Sequence, residues 1–330
     1  MPGGRHLAPC GVVERHKCLD RAAVLISRPL RERPWLDIRA LTSETAAVMT
    51  LPILWITGAG GLIGSHVVRA AEGAAWQVVG LIRQQLDLSD SKAVRDRFHA
   101  DRPAGIIHCA GISKAADCQR DPVNAKRINV DVTRHLAELA VDIPFIFFST
   151  DLVFDGAKGW YLESDPVNPL TVYAETKVTA ERVVLENPRH TVIRIGPNVG
   201  ISPTGDRAFS EELRSAAEQG RPMRLFVDEF RCPVPAVETA RATVSLLERR
   251  GAGIFHVAGS ERLSRWDIGE LLLARWPNTK PQFKRGSIRD FAGPPRSPDT
   301  SLNCDKLTNA IGRKLPGLRS WLDANPSERV

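Results

Sequence analysis

Tyrosine is almost missing from this 330-residue chain: Tyr161 and Tyr173 are the two it has, so any chemistry that needs a phenol has two candidates. Cysteine is sparse as well. The six (Cys10, Cys18, Cys109, Cys118, Cys232 and Cys304) show no CxxC spacing, which excludes a zinc knuckle, argues against a disulfide scaffold and fits a reducing compartment. Long apolar runs are lacking; stretches such as PFIFF at 144–148 are far too short to cross a bilayer. The eight histidines include no HExxH pair, so no catalytic metal is expected, although a phosphate-bound magnesium stays open. His66, His108 and His190 sit where packing or capping explains them. The net charge of +7 has no dense basic stripe behind it. Eight Lys/Arg against five Asp/Glu in residues 1–50 account for +3 of it. An anionic metabolite explains the remainder as well as nucleic acid does, and neither nucleic acid nor membrane is an expected partner.

Residues 1–50 also lack a sustained period, a continuous apolar stretch of the secretory kind, and the acid-poor composition of an organelle-targeting segment. The expectation is a disordered extension, or upstream sequence preceding a start at Met49.

What is present begins at Pro52. Ile53 to Thr57 reads as a short strand, followed by Gly58, Gly61 and Gly64, helical character from Ser65 to Glu72, and a second strand over 76–82. Strand, glycine turn, helix and strand make a dinucleotide site. Gly58 permits the tight turn, Gly61 lets backbone approach a pyrophosphate, and Gly64 lets helix and sheet pack closely. The helix N-terminus then offers unpaired N–H groups to phosphate. Leu62 and Ile63 lie within the same turn. The second strand ends in Arg83, where an acid would bind ribose hydroxyls in an NAD site. A guanidinium there suits a 2′-phosphate, so NADPH is favoured, with NADH or NAD left open. Asp87 is a candidate adenine contact or a simple cap. AGIIHCAG at 104–111 adds a buried strand ending in small residues, among them Ala110, beside the cofactor. Asn129 opens a helical pattern, and IPFIFFST at 143–150 is a continuously apolar strand. Such alternation predicts a doubly wound α/β fold with a parallel sheet. Ligands should collect beyond the strand ends, which brings in Ser149, Thr150 and Asp151.

VYAETK at 172–177 sets Tyr173 and Lys177 one helical turn apart, with Glu181 a further turn on, so all three share a face. An ammonium near the phenol is expected to lower its proton affinity, making a better acid toward a carbonyl. Lys177 can also hold the nicotinamide ribose. Thr150 would bond the same substrate oxygen. Arg194 is either a site residue or an inward-facing structural one; Arg231, Arg289 and Arg296 are candidate anion contacts.

The stretches GAGGLIG (58–64), STDLVFDG (149–156), ESDPVNPLTVYAETKVTAE (163–181), FRCPVPAVETARA (230–242) and SPDTSLNCDKL (297–307) together resemble the extended short-chain dehydrogenase/reductases, and most the dTDP-4-dehydrorhamnose reductase branch, over about residues 52 to 323. The resemblance implies a Rossmann-type doubly wound sheet with a smaller C-terminal substrate-binding region. It divides the chain at 51–195 (cofactor core with the catalytic helix) and 196–330 (mainly substrate, with elements returning to the core). It implies Thr150, Tyr173 and Lys177 as a catalytic triad reducing a nucleotide-activated 4-keto-deoxysugar, and Asp117, Asp151 and Arg231 as substrate contacts. A cytoplasmic location follows, and a homodimer is an open expectation. Leu152 stands where sugar dehydratases carry an acid, which disfavours dehydration; an epimerase holding NAD, or a non-catalytic regulatory subunit, are the alternatives. Ala174 replaces the usual glycine, and Cys118-Gln119-Arg120 follow Asp117 in place of the usual residues.

Overall fold

The continuously apolar runs fold as the inner strands of a parallel sheet. The structure, a computed structural model, describes residues 51–330, so the expectations for residues 1–50 lie outside the described residues. The chain runs β1 (Ile53–Thr57), α1 (Leu62–Glu72), β2 (Gln77–Leu81), α2 (Ser91–Asp101) and β3 (Gly105–His108). It continues through α3 (Ala115–Arg120), α4 (Pro122–Lys126), a π-helical turn (Arg127–Asp131), α5 (Val132–Leu139) and β4 (Phe145–Thr150). A 3₁₀ turn (Asp151–Val153), α6 (Val172–Leu185) and β5 (Thr191–Ile195) complete this part. Beyond it come β6 (Asn198–Val199), α7 (Phe209–Glu218), β7 (Pro222–Phe226), β8 (Phe230–Arg231), β9 (Val234–Pro235) and α8 (Ala236–Glu248). The last elements are β10 (Gly253–Val257), β11 (Leu263–Ser264), α9 (Arg265–Leu273), β12 (Gln282–Gly286), α10 (Asp305–Ile311) and α11 (Leu318–Ala324).

Six strands form one sheet in the order β2-β1-β3-β4-β5-β10, every pair parallel. Both faces are covered, which is why these strands read as unbroken apolar runs. On one face Leu54, Ile56, Ile107 and Ile146 pack with Val67 and Ala71 of α1 and Val244 and Leu247 of α8. On the other, Trp55, Ile106, Phe145 and Phe147 meet Leu136 of α5 and Ala180 and Val184 of α6. Each such apolar side chain removed from water contributes about 1.5–3 kcal/mol. A smaller C-terminal region has its own cluster around Leu213, Leu225, Ile268, Leu272 and Trp321. The sheet does not end with the first half of the chain, since β10 pairs with β5.

Two boundaries differ from the sequence reading. The first helix starts at Leu62, three residues before Ser65, because Gly61 in an extended conformation caps it and Gly64 lies inside it. The helical pattern from Asn129 opens instead within the π-helical turn, where the Asn129 side chain bonds Ile112 in both directions.

Arg194 resolves as a structural residue. Its Nε and Nη2 reach Glu181 at 3.0 and 2.7 Å, and both side chains are 4% exposed. Arg194→Met strands a buried carboxylate, and urea unfolding should show a loss of about 3–5 kcal/mol. The double change Glu181→Leu with Arg194→Met should recover most of it; a double variant as unstable as the single one contradicts this account.

Candidate functional site

Parallel strands end on one edge, and there the loops after β1, β2, β3, β4 and β5 line a single cavity of about 930 Å³. At its dinucleotide end, Gly58 has φ +68°, and a Cβ on it would lie 2.7 Å from the backbone nitrogen of Ala110. A Cβ on Gly64 would come within 2.1 Å of the Gly58 carbonyl oxygen. These two positions form a cradle that side chains would fill, and it fits a dinucleotide's pyrophosphate at the N-terminus of α1. Gly61, Leu62, Ile63, Gly64 and Ala110 all line the cavity.

Arg83 and Asp87 lie in the wall near the end of β2. Their charged groups are 3.8 Å apart, and the Arg83 side chain is 79% exposed. Asp87 accepts from the backbone N–H and hydroxyl of Ser89 at 2.9 and 2.8 Å. Those bonds, with the Arg83 charge, hold its carboxyl below the usual range.

Tyr173 and Lys177 are carried by α6, whose N-cap Thr171 accepts from the Ala174 N–H. Both line the cavity with Thr150 and Asp151. The expected electrostatics are reversed, however. Burial pushes the Tyr173 phenol up, opposed by its hydrogen bond with Thr150 and reinforced by the Asp151 charge. Burial likewise pulls the Lys177 ammonium down to about 7, against the opposing charge of Glu181. Lys177 Nζ sits over the Phe147 ring at 4.0 Å. Desolvation disfavours both charged forms, so the phenol holds its proton more tightly than in water.

Thr150 ends β4. Its hydroxyl lies 3.1 Å from Asp151 Oδ1, and it accepts from the Leu152 N–H at 3.2 Å. Asp151 Oδ2 accepts from Arg231 Nη1 at 2.8 Å and Thr300 Oγ1 at 2.9 Å. Arg231 also lines the cavity, donates through Nη2 to Glu229 at 3.1 Å and leaves its Nε without a partner. Glu229 is fully buried and takes Arg265 and Arg296 besides, at 3.1 and 2.6 Å. Burial alone would raise that carboxyl; the guanidinium groups of Arg265, Arg231 and Arg296 hold it well below the carboxylate range.

The predicted residues thus converge, apart from Asp117, Arg289 and Arg296. Asp117 on α3 is not in the cavity wall; its carboxylate accepts from Arg120 at 2.8 Å, one turn along its own helix. Arg289 is exposed and outside the wall, and Arg296 serves Glu229. Several residues escaped the sequence reading. Asn129 ties Ile112 to Thr176, whose hydroxyl donates to the Tyr173 carbonyl. Phe147 underlies Lys177, and Glu229 gathers three arginines. Only the polar Asn129 inside an apolar helical pattern offered a signal. Among the described residues no group of three His, Cys, Asp or Glu side chains is placed to hold a metal, and no helix is long and apolar enough to cross a membrane.

Residues 52–325 match the family model described as the RmlD substrate binding domain. The probable low-salt glycan biosynthesis reductase Agl14 of Haloferax volcanii is 30% identical over 290 residues, covering 82% of this chain and 96% of that protein. Methionine adenosyltransferase 2 subunit beta of Rattus norvegicus is 28% identical over 278 residues, covering 79% and 83%. Among solved structures, a hypothetical dTDP-4-dehydrorhamnose reductase from Sulfolobus tokodaii aligns with a TM-score of 0.72 at 27% identity, over 81% of this chain and 97% of that one. The dTDP-4-dehydrorhamnose reductase of Bacillus anthracis, in complex with NADP, aligns with a TM-score of 0.77 at 20% identity, over 83% and 98%; this last likeness speaks for the fold alone.

The depressed Lys177 ammonium makes a stability prediction. Its folded value of about 7 lies below the ordinary 10.5, so the unfolded chain binds more protons between the two and stability should rise with pH across that window. Below about 7 the cost of the buried charge is present in full. Lys177→Met should flatten this part of the pH–stability curve in urea unfolding. An unchanged slope would show that Lys177 titrates normally.

Proposed function

The chain belongs to the RmlD substrate binding domain family, and from that membership and its cavity we propose an NADPH-linked reductase of a nucleotide-activated 4-keto-deoxysugar, of which dTDP-4-dehydrorhamnose is the type. The observation that carries this reading is that Tyr173, Lys177 and Thr150 share one cavity with the glycine turn. Residues 51–195 would hold the cofactor and residues 196–330 mainly the sugar nucleotide, with β10 returning to the sheet. Gly58, Gly61 and Gly64 would admit the pyrophosphate, and Arg83 at the end of β2 favours a 2′-phosphate over bare ribose hydroxyls.

When bound, the reduced nicotinamide supplies a hydride to the carbonyl carbon. Tyr173 gives its phenolic proton to the carbonyl oxygen, so ketone, hydride and proton make an alcohol. Burial by itself makes this phenol a weaker acid, so the proton transfer draws on the negative charge that develops on the carbonyl oxygen as hydride arrives. Lys177 would grip ribose. Its charge state changes near neutrality, so a titration there should appear in the rate. Arg231, Arg265 and Arg296 set three guanidinium groups against the two carboxylates of Asp151 and Glu229, and with Arg231 and Arg265 in the cavity wall this surplus suits a diphosphate.

The likeness to a methionine adenosyltransferase subunit supports a second reading, a dinucleotide-binding regulatory subunit. One assay separates the two. NADPH consumption should accompany addition of a dTDP-4-dehydro sugar, and Tyr173→Phe should lower kcat by about 10²-fold or more while NADPH affinity stays within about twofold. Binding of NADPH without consumption across several such sugars sinks the reductase reading and favours the regulatory one.

A further inference from the structure

We infer that Arg127 covers the adenine of the bound cofactor: its guanidinium, held at one edge by Asn124, lays a flat face over the base and closes the adenosine end of the cavity. The inference rests on the reading of this cavity as a dinucleotide site.

Five arginines stand in the cavity wall. Four of them have a carboxylate: Arg83 has Asp87 at 3.8 Å, Arg207 has Asp206 at 3.1 Å, Arg231 has Asp151 at 2.8 Å and Arg265 has Glu229 at 3.1 Å. Arg127 has none among the described residues. Its Nη2 donates instead to Asn124 Oδ1 at 2.9 Å, a neutral amide one turn back that also lines the cavity. A bond of that kind anchors one edge of the guanidinium and leaves its flat faces uncommitted.

Arg127 opens the π-helical turn after α4, and that part of the chain lies against the loop after β2. Leu86 of this loop and Val132 at the start of α5 share one apolar cluster, and His135 Nε2 meets the Ser91 carbonyl at 3.0 Å. Leu86, Leu88, Ile128 and Val132 all line the cavity. This end therefore has apolar walls, with the exposed Arg127 beside them.

The surroundings suit a base better than a second phosphate. Asp87 feels the charge of Arg127 as well as that of Arg83, and a dianionic 2′-phosphate placed at Arg127 would meet that carboxylate. Adenine is neutral and flat. Asp87 Oδ1 is taken by Ser89, while Oδ2 lies 3.8 Å from Arg83, too far for a hydrogen bond, and can accept from the 6-amino group. A guanidinium stacks well on an aromatic face, and here it would break no ion pair to do so. Arg83 stays on the ribose side for the 2′-phosphate.

The test is calorimetric titration of NADPH and of NADH into the full chain. Arg127→Gln should weaken both, by about threefold to thirtyfold, and the two factors should agree within about twofold. Arg127→Lys keeps the charge but not the plane, and should recover little of the loss. Arg127 is exposed and Gln and Lys are good helix formers, so both variants should fold with an unchanged thermal midpoint. A loss confined to NADPH, or full recovery with lysine, would make Arg127 a phosphate contact and overturns the inference. Unchanged affinity for both cofactors overturns it too.

A second readout is independent of affinity. In labelled protein with NADP bound, the adenine H2 or H8 should show nuclear Overhauser contacts to an arginine side chain, and these should vanish in Arg127→Gln. Their absence from the wild type sinks the inference. Wild-type protein that binds neither NADPH nor NADH defeats the dinucleotide reading and the inference with it; binding indifferent to Arg127 defeats the inference alone.

Discussion

Asp151 stands at the end of a central strand, beside the Tyr173 phenol, with almost no access to water, and its charge is tolerable only because Arg231 reaches it at 2.8 Å from 80 residues away. Removing either partner leaves an uncompensated buried charge. The pair therefore obliges the small C-terminal region to close against the strand ends of the sheet before either is satisfied. Arg231 in turn needs Glu229, and Glu229 gathers Arg265 and Arg296. A chain of alternating charge thus runs from the reacting loop into the region that carries β8 and α9. The cavity is the space this closure encloses.

The opposite end of the cavity is built by leaving side chains out. Gly58 and Gly64 bring the first strand, the first helix and the end of β3 into backbone contact, and no charge is needed to hold them. One end presents backbone at the N-terminus of α1, the other three arginines set against two carboxylates. Between them lie Tyr173 and Lys177, whose burial costs both ionised forms. Phe147 below the ammonium and Asn129 behind the helix fix where these groups can point. Rigidity around that phenol suits the proposed proton transfer, since orientation is worth several powers of ten in rate.

How much of this was legible depended on how local the cause was. The glycine turn and the Tyr173–Lys177 pair could be read because three-residue and four-residue spacings have fixed geometric meaning along one element. The parallel sheet could be read because strands buried on both faces must be apolar throughout. Asp117 could not be placed from its motif, which says nothing of where α3 lies; the structure sets it outside the cavity wall and pairs it with Arg120. The helix start was misjudged by three residues because Gly61 caps as well as turns.

The sequence by itself determined the fold class, the glycine turn and the shared helical face of Tyr173 and Lys177, since each follows from residue type and spacing within a single strand or helix. Only the tertiary structure decided the sign of the electrostatics. Burial raises the proton affinity of Tyr173 and lowers that of Lys177, an effect that no spacing along α6 discloses. Only it decided that Arg231 belongs to Asp151, because those partners are joined by the packing of segments that no local pattern relates.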